Sequence, residues 1–272
     1  MNFHVGESEL ERVVSVLNHS HGIDFSGYSK ASLTRRIQRI ADKDGNGNFN
    51  ALLQRVAHDP QYFSRFLKDV TVNVTEMFRD ADFFAAVRTK VLPELQKRNQ
   101  LNVWHAACST GEEVYSMAIL LHEAKLLKRS ALLGTDLNPE VLQQATRGEY
   151  SMNGFSGYAE SYRNSGGQAS LSDYHTTISG KARFHDFIRE SMHFSKHDLV
   201  KDSAIGQFDL IMCRNALIYF QKPLQSRVLR LFKESLSVGG FLCLGANETL
   251  LFAEDRAAFE VVDAKEKIYR KL

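Results

Sequence analysis

Four small residues, Cys108-Ser109-Thr110-Gly111, lead directly into two acids, Glu112-Glu113, and a third acid, Asp136, ends a later apolar run. An apolar run of strand length, Leu101-Asn102-Val103-Trp104-His105-Ala106-Ala107, precedes the small residues. Small residues in a turn let the backbone approach a ligand closely, and an acid at the end of a strand can accept hydrogen bonds from both hydroxyls of a ribose. Neither Gly-x-Gly-x-x-Gly nor Gly-Lys-Ser/Thr occurs here, so the usual cradles for a dinucleotide pyrophosphate or a triphosphate are missing. Glu112 and Glu113 would also repel phosphate. Carboxylates at this place suit a ligand with a cationic end, such as the amino group of S-adenosylmethionine. A plainer reading fits the same residues: a parallel strand followed by a helix whose first-turn acids favour its dipole. Spacing alone leaves both open.

The elements around these residues form a recognisable order. From Tyr115 to Leu127, the apolar residues Met117, Ala118, Leu120, Leu121, Ala124 and Leu127 recur at helical spacing. A second apolar run, Ala131-Leu132-Leu133-Gly134-Thr135, ends on Asp136, and another helical stretch starts at Asn138-Pro139. Strand, small-residue turn, helix and strand ending in an acid make a nucleotide-binding βαβ unit. Phe208-Asp209-Leu210-Ile211-Met212-Cys213 is apolar nearly throughout, as a buried parallel strand is. It delivers Arg214 and Asn215 to the carboxyl end of the sheet, where open α/β sheets bind ligands; Asn215 fits equally as a cap for a helix over 216–220. An amphipathic helix is predicted over 223–236, then a turn at Gly239-Gly240, a buried strand over 241–245, and closing strands at 259–262 and 268–269.

The first hundred residues differ in kind. Residues 7–98 read as helices with no strand pattern of any length. Leu10, Val13, Val14 and Leu17 share one face of a first helix. A second, over 28–41, turns Leu33, Ile37 and Ile40 inward and Lys30, Arg35, Arg36 and Arg39 mostly outward. Asp44-Gly45-Asn46-Gly47-Asn48 breaks it; the later acids and closing Glu of a calcium loop are absent, so this is read as a turn. Shorter helices are predicted over 49–57 and 60–70. The outward row of the second helix is all positive, without acidic partners until Asp42. It fits an ordinary solvated face, and it also fits a patch that steers an acidic protein surface. Residues 72–79 join this region to the next, with Thr75 read as the cap of a helix from Glu76 into Phe83 and Phe84. Between 151 and 196 the chain is rich in Ser, Gly, Tyr and His; residues 182–187 and 191–194 alternate in strand fashion, and 164–180 reads as a surface loop.

Composition bounds the function. At 272 residues, with 43% hydrophobic and 24% charged residues, the chain holds one α/β domain and a smaller companion. A formal net charge of +2 argues against bulk nucleic-acid binding. The 3 cysteines, Cys108, Cys213 and Cys243, lie in apolar runs and read as small buried thiols of a reducing compartment. No metal site is suggested, and the 10 histidines are scattered. The opening residues 1–7 lack the basic end and apolar core of a signal peptide. No run approaches the roughly 20 apolar residues of a membrane span, so a cytoplasmic protein without membrane insertion is expected.

Four motifs occur in order: Asn73-Val74-Thr75-Glu76-Met77-Phe78-Arg79, Trp104-His105-Ala106-Ala107-Cys108-Ser109-Thr110-Gly111-Glu112-Glu113, Gly134-Thr135-Asp136-Leu137 and Cys213-Arg214-Asn215-Ala216-Leu217-Ile218-Tyr219-Phe220. Together they resemble the CheR family, the methyltransferases that esterify glutamates on bacterial chemoreceptors, from about Glu7 to the C-terminus. The resemblance implies a class I S-adenosylmethionine-dependent methyltransferase fold, α/β with a Rossmann-like doubly wound sheet. It implies an N-terminal helical receptor-docking domain at 1–72, a linker and connecting helix at 73–98, and the catalytic domain at 99–272 with an inserted antiparallel β-subdomain at 151–197. It implies donor contacts from Asn73, Thr75, Arg79, Ala107, Gly111, Glu112, Asp136, Asp198, Leu199, Arg214 and Asn215, the product being S-adenosylhomocysteine. Arg79 and Tyr219 become the candidates for orienting the substrate, although an inward Tyr serves equally as core. Lys30, Arg35, Arg36 and Arg39 become candidates for docking the glutamate-rich methylation helices of receptors. The β-subdomain is a candidate site for a receptor C-terminal peptide. Met77 stands where the family usually has Phe, a mild change, and Asp198 where Asn is common, so that side chain accepts but cannot donate. Two alternatives remain: the same fold acting on another acceptor, and a scaffold module of a chemosensory array that keeps the fold with weak catalysis. The intact Glu112, Asp136 and Arg79 speak against the scaffold.

Overall fold

The computed structural model describes residues 4–44, 48–250 and 254–272. Residues 45–47 of the predicted break at 44–48 lie outside them. The chain divides into two units, one of residues 1–73 and 218–227, the other of residues 74–217 and 228–272.

The first unit is built on four helices: α1 (Glu7–His21), α2 (Lys30–Asp44), α3 (Phe49–His58) and α4 (Pro60–Val70). Each has a single apolar face, and these faces make the core: Leu10, Val13 and Leu17 from α1, Leu33, Ile37 and Ile40 from α2, Leu52 and Val56 from α3, Phe66 and Val70 from α4. The ends are set locally. Gly22 closes α1 in left-handed backbone (φ 66°), Asn48 accepts from Ala51 N, and Asp59 accepts from Gln61 N and Tyr62 N ahead of Pro60 at the first turn of α4. Residues 218–227 add a short bridge from Phe220 to Tyr28 and the first turns of a later helix.

The second unit opens with a turn at residues 77–80 and the helical stretch α5 (Ala81–Ala86), a π-helical segment (Val87–Val91) and α6 (Leu92–Leu95). Thr75 therefore caps no helix; the predicted start at Glu76 lies in the irregular segment ahead of the turn, and the helix begins at Ala81. Next come β1 (Leu101–Ala106), α7 (Glu112–Glu123), β2 (Ser130–Asp136) and α8 (Pro139–Arg147). An inserted run follows, with β3 (Glu149–Ser151), α9 (Phe155–Asn164), β4 (His175–Ile178), β5 (Lys181–Phe184) and α10 (Asp186–Arg189). The chain closes through β6 (Met192–Lys196), β7 (Phe208–Cys213), α11 (Lys222–Ser235), β8 (Leu236–Leu244), β9 (Phe259–Asp263) and β10 (Ile268–Lys271).

Seven strands form one sheet in the order β6-β2-β1-β7-β8-β10-β9. β6, β2, β1, β7 and β8 run parallel, while β10 pairs antiparallel with both β8 and β9. A separate antiparallel sheet has the order β3-β5-β4. Residues 192–196, expected within the insertion, are instead the parallel edge strand beside β2; five exposed or half-exposed side chains look the same in a short edge strand and a subdomain strand. The predicted turn at Gly239-Gly240 lies inside β8, where the register to β7 shifts between Phe208 and Leu210 and Gly239 takes φ 73°. The predicted loop at 164–180 holds a turn of 3₁₀-helix (Leu171–Tyr174) and β4.

Alternation along β1 feeds both faces of the large sheet. Val103 joins the core that includes Val114 and Ala118 of α7. Trp104 lies against Phe208 and Phe232, with its indole N–H on Thr135 Oγ1 at 2.9 Å. The insertion is fixed to α7 through Glu123, which pairs with Arg88 at 2.5 Å and accepts from Tyr162, Tyr174 (3.2 Å) and Gln168 N (3.1 Å).

Candidate active site

Strand order reverses at β1, so the carboxyl ends of β1 and β7 are the place where doubly wound sheets receive ligands. The connection from β1 to α7 is an unusual backbone: Ala107 (φ 57°), Ser109 (φ 52°) and Gly111 (φ 92°) are all left-handed. Gly111 is required twice over, because a Cβ there would also lie 2.8 Å from Ala145 Cβ. The turn directs Ser109 N onto Asp136 Oδ2 (2.9 Å), while Asn138 N donates to Oδ1 (2.9 Å). Each oxygen of Asp136 thus carries one fixed donor and keeps a lone pair for another. Burial raises the Asp136 carboxyl above its ordinary value despite these amide donors.

The two acids that open α7 diverge. Glu112 is buried, accepts from Thr110 Oγ1 at 2.6 Å, and has no cationic partner among the described residues. Burial pushes its carboxyl up to about 7, outweighing that hydroxyl and its own backbone bond. Glu113 accepts from His105 Nδ1 (3.1 Å) and from Arg214 Nη1 (3.1 Å). Burial acts upward on it too, but His105 and Arg214 outweigh it and hold the carboxyl below its ordinary value. The neighbouring Tyr150 fixes the turn by donating to Thr110 O at 2.7 Å.

On the other side of β1, Arg214 follows β7 with its side chain only 2% exposed. Its Nη2 meets Asp80 Oδ2 at 2.6 Å, and Nη1 also donates to the Arg79 carbonyl at 3.3 Å. Asn215 is left-handed (φ 61°), and the acceptor for the amides that follow β7 is Glu248. That carboxylate takes Asn215 N (3.1 Å), Ala216 N (2.9 Å), Leu217 N (2.7 Å) and Gly245 N (2.6 Å). Beyond β2, Asp198 follows β6, buried, with Oδ1 accepting from Val200 N at 2.8 Å. Burial raises its carboxyl, and so does the nearby Asp202. Leu199 beside it is buried.

The structure therefore gathers Ala107, Gly111, Glu112, Asp136, Asp198, Leu199, Arg214 and Asn215 at the carboxyl ends of four adjacent strands, β6, β2, β1 and β7. Arg79 is tied to this edge through Arg214, which donates to its carbonyl, while its own side chain donates to Val74 O at 3.4 Å. Thr75 lies partly exposed in the segment ahead of it. Asn73 and Tyr219 belong to the helical unit. Asn73 Nδ2 donates to Lys68 O (2.9 Å) and Thr71 Oγ1 (3.0 Å) at the end of α4, and the Tyr219 ring lies 4.7 Å from the Arg36 guanidinium. On α2, Lys30 pairs with Glu7 at 2.6 Å, so the all-positive face does have an acidic partner. Arg36 is half-buried and donates to Val70 O at 2.8 Å, while Arg35 and Arg39 stay exposed. Sequence reasoning passed over Asp80 and Ser116, which act through contacts far apart in the chain.

The five-strand parallel order with a closing antiparallel pair is that of a class I methyltransferase, and the site geometry agrees with one. The comparisons carry the assignment further. Residues 73–268 match the family described as CheR methyltransferase, SAM binding domain, and residues 8–71 match CheR methyltransferase, all-alpha domain. The chain belongs to the CheR methyltransferase family. It is 42% identical over 263 residues to the protein Cher3 of Pseudomonas putida, spanning 97% of this chain and 96% of that one. It is 32% identical to a chemotaxis protein methyltransferase of Listeria monocytogenes (88% and 89% coverage) and 30% identical to chemotaxis protein methyltransferase 1 of Pseudomonas aeruginosa (89% and 89%). The chain is a methyltransferase that uses S-adenosylmethionine. Among the described residues no helix is long and apolar enough to cross a membrane.

Proposed function

We propose that this enzyme transfers the methyl group to glutamate side chains on the cytoplasmic methylation helices of chemoreceptors, giving glutamyl methyl esters for chemosensory adaptation. The observation that supports the reading is Glu112, a buried carboxyl pushed up to about 7 with no cationic partner among the described residues, one strand away from an oriented Asp136. A buried acid in that state favours a cationic ligand, since a cation restores the charged form. Glu112 receives the methionyl ammonium, and Asp136 uses its two remaining lone pairs for the ribose hydroxyls. Ala107 and Gly111 let the backbone come close, and Asp198, Leu199 and Asn215 line the adenine end. Thr75 and Arg79 cover the donor, and Arg79 orients a carboxylate, either the donor's own or the acceptor's.

When bound, the donor supplies an electrophilic methyl on a sulfonium; the acceptor oxygen bonds to carbon as the carbon–sulfur bond breaks with its electron pair to sulfur. A glutamate is already ionised at neutral pH, so the chain needs no general base. Its residues contribute alignment and exclusion of water, and a site of low polarity suits a step in which two opposite charges cancel. Arg35 and Arg39 of α2 meet the acidic receptor helices. The small sheet β3-β5-β4 offers open edges for an extended receptor peptide. Tyr219, engaged with Arg36, gains no support from its contacts as a substrate-orienting group.

Calorimetric titration with S-adenosylmethionine and S-adenosylhomocysteine, followed by labelled methyl transfer to receptor cytoplasmic fragments, tests this. Binding with base-labile label on receptor glutamates is the expected result. Binding without transfer to any receptor fragment would move the acceptor elsewhere, and absence of binding would sink the donor site.

A further inference from the structure

The turn that carries Arg79 is strained. Phe78 (φ 54°) and Asp80 (φ 60°) hold left-handed backbone on either side of it. Side chains beyond Cβ disfavour that region, a bulky Phe most of all. Such strain persists only where the surroundings over-determine it, and it gathers where a geometry is used.

Here the surroundings grip the turn from two sides. Phe78 N donates to Ser116 Oγ at 2.9 Å, and Ser116 Oγ donates to the Glu112 carbonyl at 2.8 Å. The Phe78 ring is fully buried between Phe84 (5.3 Å) and Tyr162 (5.1 Å). On the other side Arg214 holds Asp80 Oδ2 at 2.6 Å and the Arg79 carbonyl at 3.3 Å, with Glu113 Oε2 at 3.1 Å behind it. Its guanidinium lies 3.9 Å from the Phe83 ring centre. Both terminal nitrogens of Arg214 are thereby committed within the protein, and the side chain is 2% exposed.

We propose that Arg214, Asp80 and Ser116 are positioning residues: they clamp the Phe78–Asp80 turn so that Arg79 is registered to the first turn of α7 and the end of β7. Arg214 then serves the reaction through Arg79 and not by touching the donor. The inference rests on the role given above to Arg79. A planar, forked guanidinium is suited to such a clamp, because one group satisfies a carboxylate, a carbonyl and a second carboxylate at once.

A double-mutant cycle separates positioning from mere support. Arg79→Ala, Asp80→Asn and the double variant are compared by kcat and KM for a receptor fragment and by S-adenosylhomocysteine affinity, with melting curves to confirm folding. Asp80→Asn is expected to lower kcat/KM about tenfold in the native background and to change it less than about twofold once Arg79 is Ala. Ser116→Ala, acting on the opposite side of the turn, repeats the cycle and carries the test if Asp80→Asn does not fold. Equal losses in both backgrounds would overturn the clamp while leaving the Arg79 role standing. Loss of no activity and no affinity in Arg79→Ala would remove that role and this inference together.

Discussion

The carboxyl edge of the large sheet and the basic face of α2 both concentrate charge, and they manage it in opposite ways. At the sheet edge the charged groups are buried or half-buried and each is held by partners from at least two separate segments: Asp136 by two amides, Glu248 by four, Arg214 by two carboxylates and a carbonyl. On α2, Arg35 and Arg39 stand exposed and Lys30 makes a surface ion pair. Burial makes a polar group costly to leave unpaired, whereas exposed pairs trade one solvated state for another. The first region is built for geometry and the second for attraction at a distance.

Removing Glu248 should produce the largest effect. Glu248→Ala removes the acceptor that four amides share, three of them buried, and is expected to cost about 3–5 kcal/mol, read as a lower midpoint in urea unfolding. A change below 1 kcal/mol would break the contrast at its strong end. Next, Asp136→Ala should weaken S-adenosylhomocysteine binding about 100-fold by calorimetry, with the fold intact by circular dichroism.

Acidity sharpens the comparison further. The donor's ammonium needs Glu112 as a carboxylate, and that carboxyl sits at about 7 instead of 4.5. Affinity should therefore fall as pH drops below about 7, by up to roughly tenfold per pH unit, and Glu112→Gln should flatten the dependence. The stability term has its own sign. Because the folded protein holds this proton more tightly than the unfolded chain, the contribution is fully present below 4.5 and is lost as pH rises through about 7, unless the donor is bound.

The α2 face should respond weakly and through salt. Arg35→Glu with Arg39→Glu should raise KM for receptor fragments about fivefold at low ionic strength, and the difference should shrink as salt screens it. Unchanged KM at low salt would remove α2 from docking. Lys30→Ala should leave the melting temperature unmoved, since Lys30 and Glu7 are both exposed.

The sequence by itself determined the helical region, the strand-turn-helix-strand unit and the acids that end or open its elements, because hydrophobic period and turn chemistry are local properties. The motif order around Arg79, Glu112, Asp136 and Asn215 made the family legible as well. Only the tertiary structure decided what each charge does. Glu112 and Glu113 are neighbours of one type, and nothing local tells them apart; burial without a cation pushes one up, while His105 and Arg214 hold the other down. The pairs that decide this join residues 8 and 101 positions apart, as His105 with Glu113 and Arg214 with Glu113. The strained turn at 78–80, the placement of β6 in the large sheet and the four amides of Glu248 have the same origin. Partners brought together by folding set burial and charge, and a sequence pattern records neither.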